Sequence, residues 1–199
     1  MTFSVLSVCT GNVCRSPLAE QLIARQMREF DVSVRSAGVW ALVGEGAPEP
    51  ARRIAAECGL DVSAHVAEQV DEGMIRRSDL ILGMARDHRR QLVEMAPSAM
   101  RRSFTLREFA RLAEAAEPDL SEAVRSAHAR SAEDGMRAAV ALAASLRGTI
   151  PPPDDAADFD VVDPYQQSDE VYRRSLAEIV PAAEKVSEYL VAAGTLAAP

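Results

Sequence analysis

The sequence predicts an α/β fold, a three-layer sandwich in which a central four-stranded parallel sheet lies between helical layers. Three observations lead there. Short apolar runs alternate with helix-period stretches from residue 5 to about residue 106. The first apolar run feeds a loop containing cysteine and glycine that opens straight into a helix, as a phosphate loop after the first strand would. The 199 residues give one domain, 1–199, enough chain for a real core, with room for an insert.

Val5 to Val8 is the first strand. Pro17 sits where a first-turn proline is tolerated, and Leu18, Leu22, Ile23, Met27 and Phe30 form the stripe of an amphipathic helix that ends near Asp31. Val32 to Ser36 is the second strand, Pro48 to Cys58 a helix stopped at Gly59, and Asp79 to Leu82 the third strand. Arg86 to Met95 reads as a helix ended before Pro97, and Ser103 to Leu106 as a short fourth strand. From Ala113 to Leu146 the composition shifts to Ala, Glu and Arg, with Met136, Val140, Ala143 and Leu146 at helical spacing, which predicts an inserted helical pair within about 113–150. Pro151 to Asp155 must be loop, and Ser168 to Ala193 is a final helix that Pro181 is expected to kink.

A net charge of -8 removes the broad attraction for phosphate backbones on which nucleic-acid binding depends, so any anion site has to be local. Three cysteines are too few for a disulfide scaffold of this size and fit a reducing compartment. With no basic leader before Val8 and no apolar run approaching the ~20 residues of a membrane span, a cytoplasmic protein is expected, without membrane or nucleic-acid partners.

The chemistry concentrates in Cys9, Thr10, Gly11, Asn12, Val13, Cys14, Arg15, Ser16 and Pro17. A loop opening a helix aims successive backbone N–H groups at one point, and the helix dipole adds positive potential there, so an acidic protein can still hold a phosphate. Cys9 ends the strand facing that point, where those N–H groups and Arg15 are expected to favour the nucleophilic thiolate. Arg15 brings a planar fork matched to two phosphoryl oxygens. Gly11 is expected to permit the tight backbone path. Cys-x5-Arg alone is a weak pattern, but Gly11, Asn12, Cys14, Ser16 and Pro17 around it make coincidence improbable in so short a chain.

The stretch VCTGNVCRSPLAE resembles the phosphate loop of the low-molecular-weight protein tyrosine phosphatases, a bacterial-type member with a helical insert. The likeness extends to Ser36-Ala37-Gly38, to Gly59 through His65, to Met84 through His88 and to Asp163-Pro164-Tyr165. It implies a flavodoxin-like, Rossmannoid sheet and a phosphatase that needs neither metal nor cofactor, acting on a phosphorylated protein. By that resemblance Cys9 is the nucleophile, Arg15 binds phosphate and the transition state, and Asp163 is the general acid and later the base, which implies a bell-shaped rate profile on the acidic side of neutrality. Asn12 would brace the loop with Ser16, Ser36 and His65, Ser16 would also stabilise the Cys9 thiolate, and Cys14 would trap oxidised Cys9 as a disulfide. Trp40 and Tyr165 are the candidate pocket walls.

Other readings of these residues stand beside the first. Cys9, Cys14, Cys58 and His65 could make a zinc site, though with only one paired spacing; Cys14 could be a small core residue and Trp40 plain hydrophobic cover. Asp163 could merely begin a turn, with Asp154, Asp155, Asp158 and Asp160 as rival acids nearby. Glu68 stands where the family often has a basic residue after the bracing histidine, and His88 and His128 read as solvent-facing helix residues. Relatives acting on phosphoarginine carry threonine where this chain has Val13, which favours phosphotyrosine over phosphoarginine, and Gln166 leaves the rim undecided. Arsenate reduction lacks the relay cysteines, and a silent phosphate-binding module stays open. The insert is edge decoration, a cover over the cleft, or a contact in a weak homodimer.

Overall fold

The computed structural model describes residues 2–198; Met1 and Pro199 lie outside it. Four parallel strands, β1 (Phe3–Cys9), β2 (Val32–Gly38), β3 (Leu80–Gly83) and β4 (Ser103–Thr105), lie in the order β2-β1-β3-β4. The strand order reverses beside β1, so the C-terminal end of β1 faces the crevice where open parallel sheets bind ligands. Strand alternation splits the core. Phe3, Val5, Leu80 and Leu82 face the larger apolar layer, while Leu6, Val8 and Ile81 face a smaller one.

The larger layer is covered by α1 (Arg15–Gln26), α2 (Glu49–Glu57), α5 (Leu106–Ala116), α6 (Leu120–Ser126), α7 (Ala132–Ser145) and α8 (Asp169–Ala197); α3 (Glu72–Arg77) and α4 (Arg86–Met95) cover the smaller one. None of the helices among the described residues is long and apolar enough to cross a membrane. A 29-residue α8 runs past the expected end at Ala193 and continues through Pro181.

Several expectations are corrected. The first helix stops at Gln26, not near Asp31, because the chain must turn back to pair Val32 with Phe3; the Phe30 N–H closes that turn on the Met27 carbonyl. Leu106 is not the end of a strand but the first residue of α5. Thr105 caps it in a capping box, accepting from the Glu108 N–H at 3.0 Å while its own N–H donates to Glu108 Oε2. The six-residue α3 was not foreseen; Asp71 caps it by accepting from the Met74 N–H at 2.7 Å.

The inserted region carries two helices, α6 and α7, and begins inside α5, with a short 3₁₀ turn between α5 and α6. Met136, Ala139, Val140 and Ala143 of α7 are buried in the larger core with Tyr189, Leu190 and Ala193 of α8. The two helices approach so closely that a Cβ on Gly135 would stand 2.3 Å from the Ala193 carbonyl oxygen.

Candidate active site

Burial and hydrogen bonding give the loop between β1 and α1 its shape. The carbonyls of Cys9, Thr10 and Gly11 accept from the N–H groups of Val39, Trp40 and Leu42, each at 3.0 Å. This ladder carries the segment after β2 along the loop and sets Trp40 at its rim. It requires close backbone approach, and Gly38 supplies it: a Cβ there would lie 2.5 Å from the Thr10 carbonyl oxygen.

The strained residue of the loop is Asn12, at φ 56°, and not Gly11. Within the chain a Cβ on Gly11 would meet only ordinary contacts with Val13 and Leu42, so the expected need for glycine there does not arise from the fold. Asn12 is held from four sides. Its side-chain amide donates to Ser16 Oγ at 3.0 Å and Ser36 Oγ at 2.9 Å, its Oδ1 accepts from the Glu68 N–H at 2.8 Å, and its carbonyl lies 2.6 Å from His65 Nε2. Ser36 in turn donates to Glu20 at 2.6 Å. These bonds offset the left-handed backbone, which aims the Asn12 N–H at Cys9 Sγ, 3.2 Å away. Ser16 Oγ donates to the same sulfur at 3.1 Å. Both are contacts of the kind that stabilise negative charge on sulfur.

Cys9, Thr10, Gly11, Val13, Cys14 and Arg15 line a cavity of about 130 Å³, walled by Trp40, Leu42, Asp163 and Tyr165. Trp40 is 73% exposed and Tyr165 40%, so both stand at the mouth, not in the core. Arg15 is buried. One guanidinium nitrogen donates to the Val161 carbonyl at 3.2 Å and another meets Asp163 Oδ2 at 2.6 Å, while its buried Nε has no hydrogen-bond partner among the described residues.

Asp163 reaches the site because the loop before α8 is pinned. The Val161 N–H donates to the Met84 carbonyl at 2.8 Å, and Arg86 donates to Asp160 Oδ1 from its backbone N–H and to Oδ2 from its guanidinium. Arg107 donates to the Asp160 carbonyl and pairs with Asp158. Asp158 and Asp160 are thus engaged away from the cleft, and neither they nor Asp154 and Asp155 line it.

Cys14 is buried, its thiol 3.8 Å from the Tyr172 hydroxyl, and burial pushes it up to about 12, so at neutral pH it is a protonated thiol. Cys58 is exposed at the end of α2, and no group of three His, Cys, Asp or Glu side chains suited to a metal occurs among the described residues. The expectation of a solvent-facing His88 is overturned. It is 5% exposed, with Nε2 2.9 Å from Thr10 Oγ1, because α4 begins directly under the loop: the Met84 N–H donates to the Val8 carbonyl. His128 is exposed in the turn after α6. Sequence reasoning also missed Tyr172, Glu20 and Leu42; a polar residue within the apolar stripe of the last helix was the available signal for Tyr172.

Residues 4–140 match the family model described as "Low molecular weight phosphotyrosine protein phosphatase". Over 94 residues the chain is 47% identical to the low molecular weight protein-tyrosine-phosphatase Wzb of Escherichia coli K12, an alignment covering 47% of this chain and 63% of that relative's length. Among solved structures, the tyrosine phosphatase Wzb from Escherichia coli K30, in complex with sulphate, superposes with a TM-score of 0.66 at 26% identity, covering 94% of this chain and 98% of the other. The YwlE arginine phosphatase from Geobacillus stearothermophilus superposes with a TM-score of 0.65 at 25% identity, covering 94% and 91%. Asp163 and Tyr165 lie beyond the family match and join the site through the tertiary fold alone.

Proposed function

Because the chain belongs to the low molecular weight phosphotyrosine protein phosphatase family, we propose that it hydrolyses phosphotyrosine in proteins through a phosphocysteine at Cys9. One observation carries this: a sulfur that accepts two hydrogen bonds lies in the same small cavity as a buried arginine whose Nε has no partner. A phosphoryl group gripped by Nε and one terminal nitrogen would satisfy that arginine and lie against the sulfur.

In the chain without substrate, Asp163 occupies the Arg15 fork. The incoming phosphoryl group takes the fork, and Asp163, half-exposed at the mouth, takes up a proton from solvent as it leaves the guanidinium and turns to the ester oxygen. Cys9 sulfur attacks phosphorus in line. As the S–P bond forms the P–O bond to the tyrosine ring breaks, and the proton of Asp163 goes to the leaving oxygen. Water then attacks phosphorus, Asp163 takes its proton, the S–P bond breaks, and inorganic phosphate leaves from the thiolate. The loop N–H groups and Arg15 hold the equatorial oxygens throughout. Trp40, Tyr165, Leu42 and Val13 give an aromatic ring apolar cover at the mouth.

Phosphoarginine is the second reading, because a tyrosine and an arginine phosphatase superpose on this chain about equally well. Val13, buried in the cavity wall, offers shape to either substrate but no hydroxyl to a guanidinium, which favours phosphotyrosine. A reducing, cytoplasmic setting suits a mechanism that depends on a free thiol, and we place the protein there. The test is release of p-nitrophenol from p-nitrophenyl phosphate, then phosphotyrosine and phosphoarginine peptides compared directly. Cys9→Ser should abolish turnover and Asp163→Ala should lower kcat by about 10²–10⁴-fold; full activity in Cys9→Ser would end the proposal, and equal turnover of the two peptides would end the argument from Val13.

A further inference from the structure

His88 is a buried polar side chain that the chemistry above does not use, and it lies against the phosphate loop. Its Nε2 is 2.9 Å from Thr10 Oγ1, and its Nδ1 is buried without a partner among the described residues. Two neutral tautomers fit that distance. In one, Thr10 donates to Nε2 and a buried Nδ1–H is left without an acceptor. In the other, Nε2–H donates to Thr10 and only a lone pair on Nδ1 is left over. An orphaned buried N–H is the rarer defect of the two, so the second arrangement is favoured. The doubly protonated ring is opposed by burial first and then by the Arg15 cation; Asp163, Asp87 and Asp160 act weakly the other way.

Once Nε2–H has taken an acceptor site on the Thr10 hydroxyl, that hydroxyl's single proton must go elsewhere. Thr10 lines the cavity together with Cys9 and Arg15, and its backbone is fixed by the bond from the Trp40 N–H to its carbonyl. We propose that His88 is a positioning residue: by donating from Nε2 it turns the Thr10 O–H toward the phosphate held in the cavity, adding a side-chain donor to the backbone N–H groups. The inference deepens the phosphatase reading and rests on it for the identity of the ligand.

The test uses inorganic phosphate as the probe, measured by calorimetric titration and as a competitive inhibitor of p-nitrophenyl phosphate turnover. Thr10→Val and His88→Leu should each weaken phosphate binding about tenfold, the range for a hydrogen bond to a charged group, and raise KM in parallel with a smaller change in kcat. The double variant should be no weaker than either single one, because both remove the same O–H contact. His88→Gln, whose side-chain amide can donate to Thr10, should recover most of the loss. Additive losses, a Thr10→Val protein that binds phosphate like the parent, or a folded His88→Gln protein as impaired as His88→Leu would each overturn the proposal. If His88→Leu does not fold, nitrogen chemical shifts of the His88 ring in the unmodified protein decide: protonated Nε2 supports the assignment and protonated Nδ1 refutes it. A chain that binds phosphate with this coupling yet turns nothing over would refute the phosphatase reading and leave the His88–Thr10 assignment standing.

Discussion

Asn12 shows how a single residue carries a site. Its left-handed backbone turns one N–H onto the Cys9 sulfur, and four hydrogen bonds to Ser16, Ser36, Glu68 and His65 keep it there. The Cys-x5-Arg spacing made the sulfur and the guanidinium legible, since both lie on one local turn. His88 was not legible. Three residues into a helix with Arg86, Asp87, Arg89 and Arg90 around it, it looks like part of a solvated face, and only the tuck of α4 beneath the loop buries it. That burial has a consequence for acid stability. The ring is pushed down to about 4 by burial and then by the Arg15 charge, against the ordinary 6.5. Between those values the unfolded chain binds a proton that the folded chain refuses, so stability falls as pH drops from 6.5 to 4, with the loss complete below 4. Urea unfolding at pH 7.5 and at pH 4.5 should show His88→Gln losing roughly 2–3 kcal/mol less than the parent over that interval; equal losses would contradict the assigned ring state.

At the scale of elements, the helices with clear apolar stripes were readable, while α3 and the α5 start were fixed by caps. Asp71 and Thr105 each accept from a backbone N–H three residues on. Both caps are ordinary Asp and Thr residues, and Thr105 between Phe104 and Leu106 reads as strand, so they stand out only once the following residues are seen to turn. The α7–α8 contact is the tightest helix pair near the insert, and it depends on a missing side chain at Gly135. Gly135→Ala would force its Cβ against the Ala193 carbonyl and the Ala197 methyl. We expect a loss of about 1–3 kcal/mol in chemical denaturation, with kcat toward p-nitrophenyl phosphate unchanged because α7 contributes nothing to the cavity. An unaltered midpoint would mean that α7 and α8 are further apart in solution.

Across the whole molecule, the insert is a structural layer. None of its residues lines the cavity, and α7 shares one apolar core with β1, β3, α1 and α8. Removing residues 117–147 would uncover the apolar face of α8, so the shortened chain should lose its cooperative thermal transition and bind a hydrophobic dye; a sharp transition near that of the parent would show the layer to be dispensable. The same scale explains Asp163. It stands 148 residues from Arg15 in sequence and 2.6 Å from it in space, delivered by a loop that Arg86 and Arg107 pin beyond the C-terminal ends of β3 and β4. The sequence by itself determined the parallel α/β order, the loop at the end of β1 and the pairing of thiol with guanidinium, because periodicity and a short motif are local properties of the chain. Only the tertiary structure decided which acid faces the cleft, that His88 lies beneath Thr10 and that the insert belongs to the core. Those outcomes depend on which surfaces pack together, and packing joins residues whose separation along the chain carries no signal.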